Sequence, residues 1–290
     1  MRDSCVTVLP DGRDLGWLEV GDPGGEPVFA FHGTPGSRLQ LAIDGVPIST
    51  SGLRLVCPDR PGYGLSTFQR GRRLVDWPRD VAYLADHLGI DRFAVMGISG
   101  GGPHSAVCAA LLGERVISAA IVSGVGPLAD PRAVEGMMRP NQILTALSRR
   151  GSRIPRVMFE LMAVVQRRWP ARAFDMMLKQ LPAADVAILT RPEVRALLER
   201  DAVRSSRTSG AAAAQDFEIF CADWGFDLGT IEVPVHIWQG DADVNVPAQH
   251  ARLQHKAIPG SILHEFADEG HFMAFDHFEE IAAALTAAYT

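Results

Sequence analysis

The sequence predicts an α/β domain: a mostly parallel sheet covered on both faces by helices, with a helical lid inserted near its middle. Three observations carry that reading. Short apolar, β-branched runs alternate with helical periodicity, which implies parallel crossovers. That rhythm stops after Pro127 and resumes only with Val233–Trp238. Several strand ends run into Gly- and Pro-rich turns, where α/β folds place their chemistry.

Val6–Leu9 and Asp14–Val20 flank the turn signal Pro10–Asp11–Gly12 and read as a hairpin. Val28–Phe31 is an apolar strand ending at His32–Gly33–Thr34–Pro35–Gly36, and Leu53–Cys57 is another, ending at Pro58–Asp59–Arg60–Pro61–Gly62. Apolar residues at 77, 81, 84, 85 and 88 give Val75–Leu88 a helical period. Phe93–Met96 reads as a strand, Ser99–Leu112 as an Ala- and Leu-rich helix, and Ile117–Val122 as a strand. From 128 to 215 the chain is helical in character, rich in Met and Arg, and punctuated by Pro140, Pro155, Pro170, Pro182 and Pro192. Alternation returns with strand Val233–Trp238, helix Ala248–Ala257, strand Ile262–Phe266 and a helix from His277 to about Tyr289. The predicted organisation is thus a core of 1–127 and 216–290, with a lid of 128–215.

With 290 residues the chain buries enough surface to fold without staples. A formal net charge of −6 is not the basic excess that nucleic-acid binding calls for. Cys5, Cys57, Cys108 and Cys221 lie far apart and form neither a zinc spacing nor a disulfide framework. No apolar run approaches the ~18–20 residues of a membrane span, and the first residues lack the pattern of a signal peptide. A cytoplasmic location is therefore expected, with no nucleic-acid or membrane partner; the sequence does not set the oligomeric state. Charge is unevenly spread, because residues 128–215 are net basic and the remainder is acidic. Those basic residues either pair with neighbours on solvated helix faces or receive an anionic substrate.

The strongest chemical signal is Gly97–Ile98–Ser99–Gly100–Gly101, between a strand and a helix. The GxSxG pattern alone is weak, since any serine is so flanked roughly once in two hundred by chance. Its strand–turn–helix setting raises it to a candidate nucleophile elbow, with the Ser99 hydroxyl exposed above the sheet on a strained bend. Glycines two before and two after allow the close approach. The amide of Gly100 points where an oxyanion would form, and the loop after the first parallel strand offers a second donor, the backbone N–H of Thr34. The competing reading, a phosphate loop, would want GxGxxG or a P-loop lysine, and neither is present. A serine also needs a base and an orienting acid. Gly270–His271–Phe272 follows the last strand and supplies the base, His271. Two carboxylates compete for the acid: Asp243 is preferred, and Asp241 is the alternative that ties its own loop. His32 is expected to make a structural hydrogen bond, and the remaining histidines are expected to be structural or solvated.

These residues resemble the α/β-hydrolase superfamily, specifically its lid-bearing esterase and peptidase-like branch. The likeness rests on FHGTPGS (31–37), PDRPGYGLS (58–66), MGISGGG (96–102) and the pair QGDADVNVP (239–247) and DEGHF (268–272), whose order agrees over nearly the whole chain apart from the lid. The resemblance implies an eight-stranded, mostly parallel sheet, acyl-enzyme chemistry on a Ser99–Asp243–His271 triad, and structural roles for Asp59, Arg60 and Gly62. Haloalkane dehalogenases and epoxide hydrolases carry Asp where this chain has Ser99. The proline iminopeptidase subline usually carries HGGPG and GxSWG, where this chain has HGTPG and GISGG.

The function expected is hydrolysis of a carboxylic ester, thioester or lactone, with a small-molecule acyl substrate and neither metal nor organic cofactor. The same residue set also serves peptidases, C–C bond hydrolases, perhydrolases and lyases on this fold, and a ligand-binding protein with little turnover is the farther alternative. In the lid, Met137, Met138, Met158, Met162, Met176 and Met177, with Phe159, Trp169 and Phe174, either line an apolar acyl pocket or pack the lid helices.

Overall fold

The computed structural model describes residues 5–41, 52–207 and 209–289. Its eight strands are β1 (Cys5–Val8), β2 (Asp14–Gly21), β3 (Glu26–Phe31), β4 (Leu53–Pro58), β5 (Phe93–Ile98), β6 (Val116–Val122), β7 (Val235–Gly240) and β8 (Ile262–Phe266). They form one sheet in the order β1-β2-β4-β3-β5-β6-β7-β8. β1 and β2 pair antiparallel as the expected hairpin, β2 also pairs antiparallel with β4, and every other neighbouring pair is parallel.

Alternation along the central strands decides which helices cover which face. Phe29, Phe31, Phe93, Val95, Ala119 and Ile121 point to one side, where α1 (Trp77–His87), α2 (Gly102–Leu111) and α9 (Ala248–Ala257) pack. Val28, Ala30, Ala94, Met96, Ala120 and Val122 point to the other, covered by Phe278, Ile281, Ala282 and Leu285 of α10 (Phe278–Thr286). Both faces are dry, as a parallel sheet requires. The expected helix from Ser99 starts late: Ser99–Gly101 is a tight 3-10 turn, and α2 begins at Gly102.

Between β6 and β7 the chain runs through α3 (Arg139–Arg149), α4 (Ile154–Arg168), α5 (Pro170–Leu178), α6 (Ala183–Leu189), α7 (Pro192–Ser205) and α8 (Ala211–Cys221). Proline within the first two positions starts α3, α4, α5 and α7, where its missing N–H costs nothing. Two small cores hold these helices. Leu144, Phe159 and Ala212–Ala214 pack with Tyr63, and Phe174, Ile188, Leu189 and Val194 pack against Phe272 and Phe275. Both therefore include residues of the main domain. α8 continues through 215, and Ile219 and Phe220 at its far end belong to the main core.

A buried polar contact also joins this helical segment to the core. Asp201 of α7 accepts a hydrogen bond from Ser37 Oγ. Burial pushes the Asp201 carboxyl up to about 7, with the nearby Asp59 charge adding to the rise and the Ser37 hydrogen bond opposing it.

Two outcomes are expected. A methyl at Gly97 would lie 2.1 Å from the Gly101 carbonyl oxygen and 2.4 Å from its carbon. Gly97→Ala should therefore lower unfolding free energy by about 1–3 kcal/mol, read as a fall in the urea midpoint. Because the folded chain holds the Asp201 proton more tightly than the unfolded chain does, ionising Asp201 lowers stability as pH rises from about 4 to about 7. Asp201→Asn should remove that part of the decline, on the order of 2–4 kcal/mol. Urea midpoints of both proteins at the two ends of the window measure it, and an equal decline in the variant refutes it.

Candidate active site

β5 ends at Ile98 with extended backbone, and the chain then turns into the left-handed region at Ser99, φ 54°. Such a backbone is strained for a side chain with a Cβ and persists only when its surroundings dictate it. Here they do, since neither Gly97 nor Gly101 has room for a Cβ: one at Gly101 would sit 2.2 Å from the Phe31 carbonyl oxygen. Strand, turn and helix are thus pressed together, and Ser99 is left half-buried at the crest with its carbonyl bonded by Val125 N at 3.0 Å.

The loop after β3 lies directly beside the turn. A Cβ on Gly33 would be 3.3 Å from Ser99 Cβ, and one on Gly100 would be 3.1 Å from the Thr34 backbone nitrogen. The amide of Gly33 is already committed, donating to Gln40 Oε1 at 2.6 Å. The amide of Thr34 donates to no partner among the described residues, and its nitrogen lies beside Gly100. The Thr34 hydroxyl lies beside Gly100 as well, 2.2 Å from where a Cβ there would sit, and it donates to Asp216 Oδ2 at 2.7 Å and accepts from Arg60 Nη2 at 2.8 Å. His32 is buried, with Nδ1 2.8 Å from the Gly33 carbonyl and Nε2 accepting from Arg60 N at 3.0 Å. Burial and the Arg60 charge lower its pKa well below the ordinary imidazole value, so it stays neutral and structural, as expected.

Asp243 and His271 meet at the ends of β7 and β8. His271 Nδ1 is 2.7 Å from Asp243 Oδ2. The other carboxylate oxygen accepts from the amides of Asn245 at 2.8 Å and Val246 at 2.9 Å, and Gln239 Nε2 lies 3.2 Å from Oδ2. Asp243 is therefore held by its own loop and aimed at the imidazole. Asp241, the alternative, spans two loops instead, accepting from the Asp268 amide at 2.7 Å. Burial alone would lower the His271 pKa; the Asp243 carboxylate and its hydrogen bond, with Asp185 beyond, outweigh that and raise it above the ordinary 6.5. Among the described residues no hydrogen bond joins Ser99 to His271, a contact that often tightens only when substrate is bound.

The other histidines do structural work or lie away from this point. His104, under the turn, contacts the Gly100 carbonyl through Nδ1 at 3.0 Å, and burial lowers its pKa well below normal. His250 accepts from the Gly126 amide at 2.8 Å and is pushed down to about 4.

Two carboxylates that sequence reasoning did not single out reach this region from the inserted helices. Asp216 of α8 is fully buried and binds Arg60 Nη2 at 2.6 Å, Tyr63 Oη at 2.7 Å, Thr34 Oγ1, and Arg72. Burial would raise its pKa, but Arg60 and Arg72 together hold it well below the carboxylate range. Arg60 also donates to the carbonyls of His32 and Gly33, so one arginine links the loop beside Ser99 to α8. Asp185 of α6 accepts from the Phe272 amide at 2.9 Å, next to His271, while its Oδ2 has no hydrogen-bond partner. The usable sequence signal was a single acid inside an apolar helical stretch, as in Ala211–Phe217 and Ala183–Leu189. The role implied for Asp59 also has a physical basis, since it accepts from Arg38 N at 2.7 Å, Arg38 Nη1 at 2.6 Å and Leu65 N at 2.8 Å. Among the described residues no cluster of His, Cys, Asp and Glu could hold a metal ion.

Comparisons with known proteins agree with this architecture. The family model for the alpha/beta hydrolase fold matches residues 26–278. An uncharacterized hydrolase of Bacillus subtilis is 26% identical over 283 residues, covering 94% of this chain and 93% of that protein. A 2-hydroxy-6-oxononadienedioate/2-hydroxy-6-oxononatrienedioate hydrolase of Klebsiella pneumoniae is 28% identical over 271 residues, covering 89% and 85%. The solved structure of an alpha/beta hydrolase fold protein from Nakamurella multipartita superposes with a TM-score of 0.70 at 25% identity, covering 99% of this chain and 100% of that one. With one eight-stranded sheet in this strand order and a family match over most of its length, the chain belongs to the alpha/beta hydrolase fold family.

Proposed function

We propose that the protein is a serine hydrolase that cleaves a carboxylic ester, thioester or lactone through an acyl-enzyme on Ser99. The observation that carries this is the 2.7 Å contact of Asp243 with His271 Nδ1, which leaves Nε2 as the basic nitrogen of a neutral imidazole. Ser99 supplies the nucleophile from its strained turn, and His271 takes the hydroxyl proton as Oγ attacks the carbonyl carbon. Negative charge on the carbonyl oxygen is held by the amides of Gly100 and Thr34. The imidazolium, stabilised by Asp243, then protonates the leaving alkoxide or thiolate. Water deprotonated by His271 attacks the acyl-enzyme, and the acid leaves with Ser99 regenerated.

The helices between β6 and β7 act as the lid over this centre and select the substrate. Met137, Phe159 and Phe174 are buried in packing, while Met158, Trp169 and Met176 are exposed on the outer surface. The acyl pocket is accordingly assigned to fewer lid residues than their number suggests. A second reading, C–C bond hydrolysis with the same three residues, draws support from the Klebsiella relative.

A fluorophosphonate probe read by intact mass, run beside turnover of short p-nitrophenyl esters, tests the main reading. Both labelling and turnover should vanish in Ser99→Ala. An unlabelled, folded wild type refutes the nucleophile, and labelling without ester turnover moves the assignment to C–C chemistry. The pH profile adds a separate check. Because His271 must be neutral to act and its pKa is raised, kcat/KM should fall as pH drops through a midpoint above 6.5. Asp243→Asn should cut kcat by on the order of 10⁴-fold and shift that midpoint to lower pH. An unmoved midpoint would mean that His271 does not set the profile.

A further inference from the structure

α4 has two apolar faces, and only one of them is covered. Phe159 and Ala163 face inward, whereas Ile154, Val157, Leu161 and Val164 are 53%, 58%, 63% and 48% exposed. Their spacing of three, four and three residues places them in one outward ridge along a helix of about 22 Å. Cations bracket the ridge. Exposed Arg150, Arg153 and Arg156 lie around its first turn, and exposed Arg168 and Arg172 lie at its far end beside exposed Trp169.

The charge of these arginines is uncompensated, as is that of Arg139 and Arg204, whereas several other arginines of the insertion are partnered. Arg191 pairs with Asp276, Arg195 with Asp175 and Glu199, and Arg149 and Arg167 donate to backbone carbonyls. The side chains of Arg150, Arg153, Arg156 and Arg172 have no ion pair or hydrogen-bond partner among the described residues, and Arg168 lies over the Trp169 ring. The nearby acids are occupied, Glu160 by the Gly210 amide and Asp175 by Arg195.

We propose that this face of α4 and the start of α5 is a docking surface for an anionic lipid bilayer. An apolar ridge, flanking arginines able to reach phosphates and a tryptophan at the margin are what an interfacial helix requires. Charge decides against a second copy as the occupant, because a two-fold contact through this ridge would bring the same arginines face to face. The rest of the chain is net acidic and would be repelled by the same bilayer, which orients the molecule with the insertion down. No helix among the described residues is long and apolar enough to cross a membrane, and binding at the surface needs none. The sequence-based expectation of no membrane partner considered only spans, and it is revised here. The surface is independent of the chemistry proposed for Ser99.

Vesicle flotation tests it, using phosphatidylcholine alone and phosphatidylcholine mixed with phosphatidylglycerol. Wild type and Ser99→Ala should both float with the anionic vesicles and not with the neutral ones. Partition should drop at least about tenfold in the pair Val157→Glu with Leu161→Glu, and equally in Arg153→Gln with Arg156→Gln. Raising salt from about 0.1 to about 1 M, which shortens the screening length from about 10 to about 3 Å, should weaken it as well. All four substituted side chains are exposed, so thermal melts should match wild type. Failure to float, flotation indifferent to these substitutions, or a dimer in light scattering that Leu161→Glu dissociates would each overturn the proposal.

Discussion

The rest of the molecule is arranged around the close approach of β5 to the helix that follows it. Gly97 and Gly101 touch backbone to backbone, Gly101 also meets the end of β3, and the chain reverses so sharply that Ser99 takes a left-handed conformation. A local constraint of this kind needs rigid supports on every side, which a central strand between two parallel neighbours and a buried helix supply. The loops after β3, β7 and β8 all leave the sheet at its C-terminal edge, where the turn also lies. The Thr34 amide beside Gly100 and the Asp243–His271 pair therefore share that edge because of the sheet's order, not because of their spacing in sequence.

The helices between β6 and β7 are tied to that edge by buried polar contacts. Asp216 of α8 reaches Thr34, Arg60, Tyr63 and Arg72, Asp201 of α7 reaches Ser37, and Asp185 of α6 reaches the Phe272 amide. Three buried carboxylates from three helices thus grip the loops that carry Thr34 and His271. Buried charges are costly unless paired; Asp216 is paired with two arginines and Asp185 and Asp201 are hydrogen-bonded, so contacts across this boundary make the helices' position and the loops' geometry depend on each other. The small cores containing Tyr63, Phe272 and Phe275 reinforce the same joint with apolar contact.

The distribution of charge follows from the same division. On the inner side, arginines and acids are matched and dry; on the outer side of α4, arginines flank exposed aliphatic side chains without partners. The proposed docking face is thus the side of α4 turned away from its packing against Tyr63 and Ala212–Ala214.

Local chemistry alone determined the strand–helix alternation, because parallel strands buried on both faces must be short apolar runs. It determined the elbow at Ser99 as well, since only glycines at 97 and 101 permit the approach. His271 and Asp243 were legible from their places after the last strands. Only the tertiary structure separated Asp243 from Asp241, because one carboxylate reaches the imidazole and the other the Asp268 amide. Asp185, Asp201 and Asp216 were not legible in this way. Each contacts residues 87 to 182 positions away, and a lone acid in an apolar helix does not state which loop it will meet. Tertiary structure alone also separated the buried Phe159 from the exposed Leu161, two residues of one apolar stretch, because α4 turns one side to α8 and nothing among the described residues covers the other. Periodicity specifies that a helix has faces; only packing decides which of them is left to the solvent.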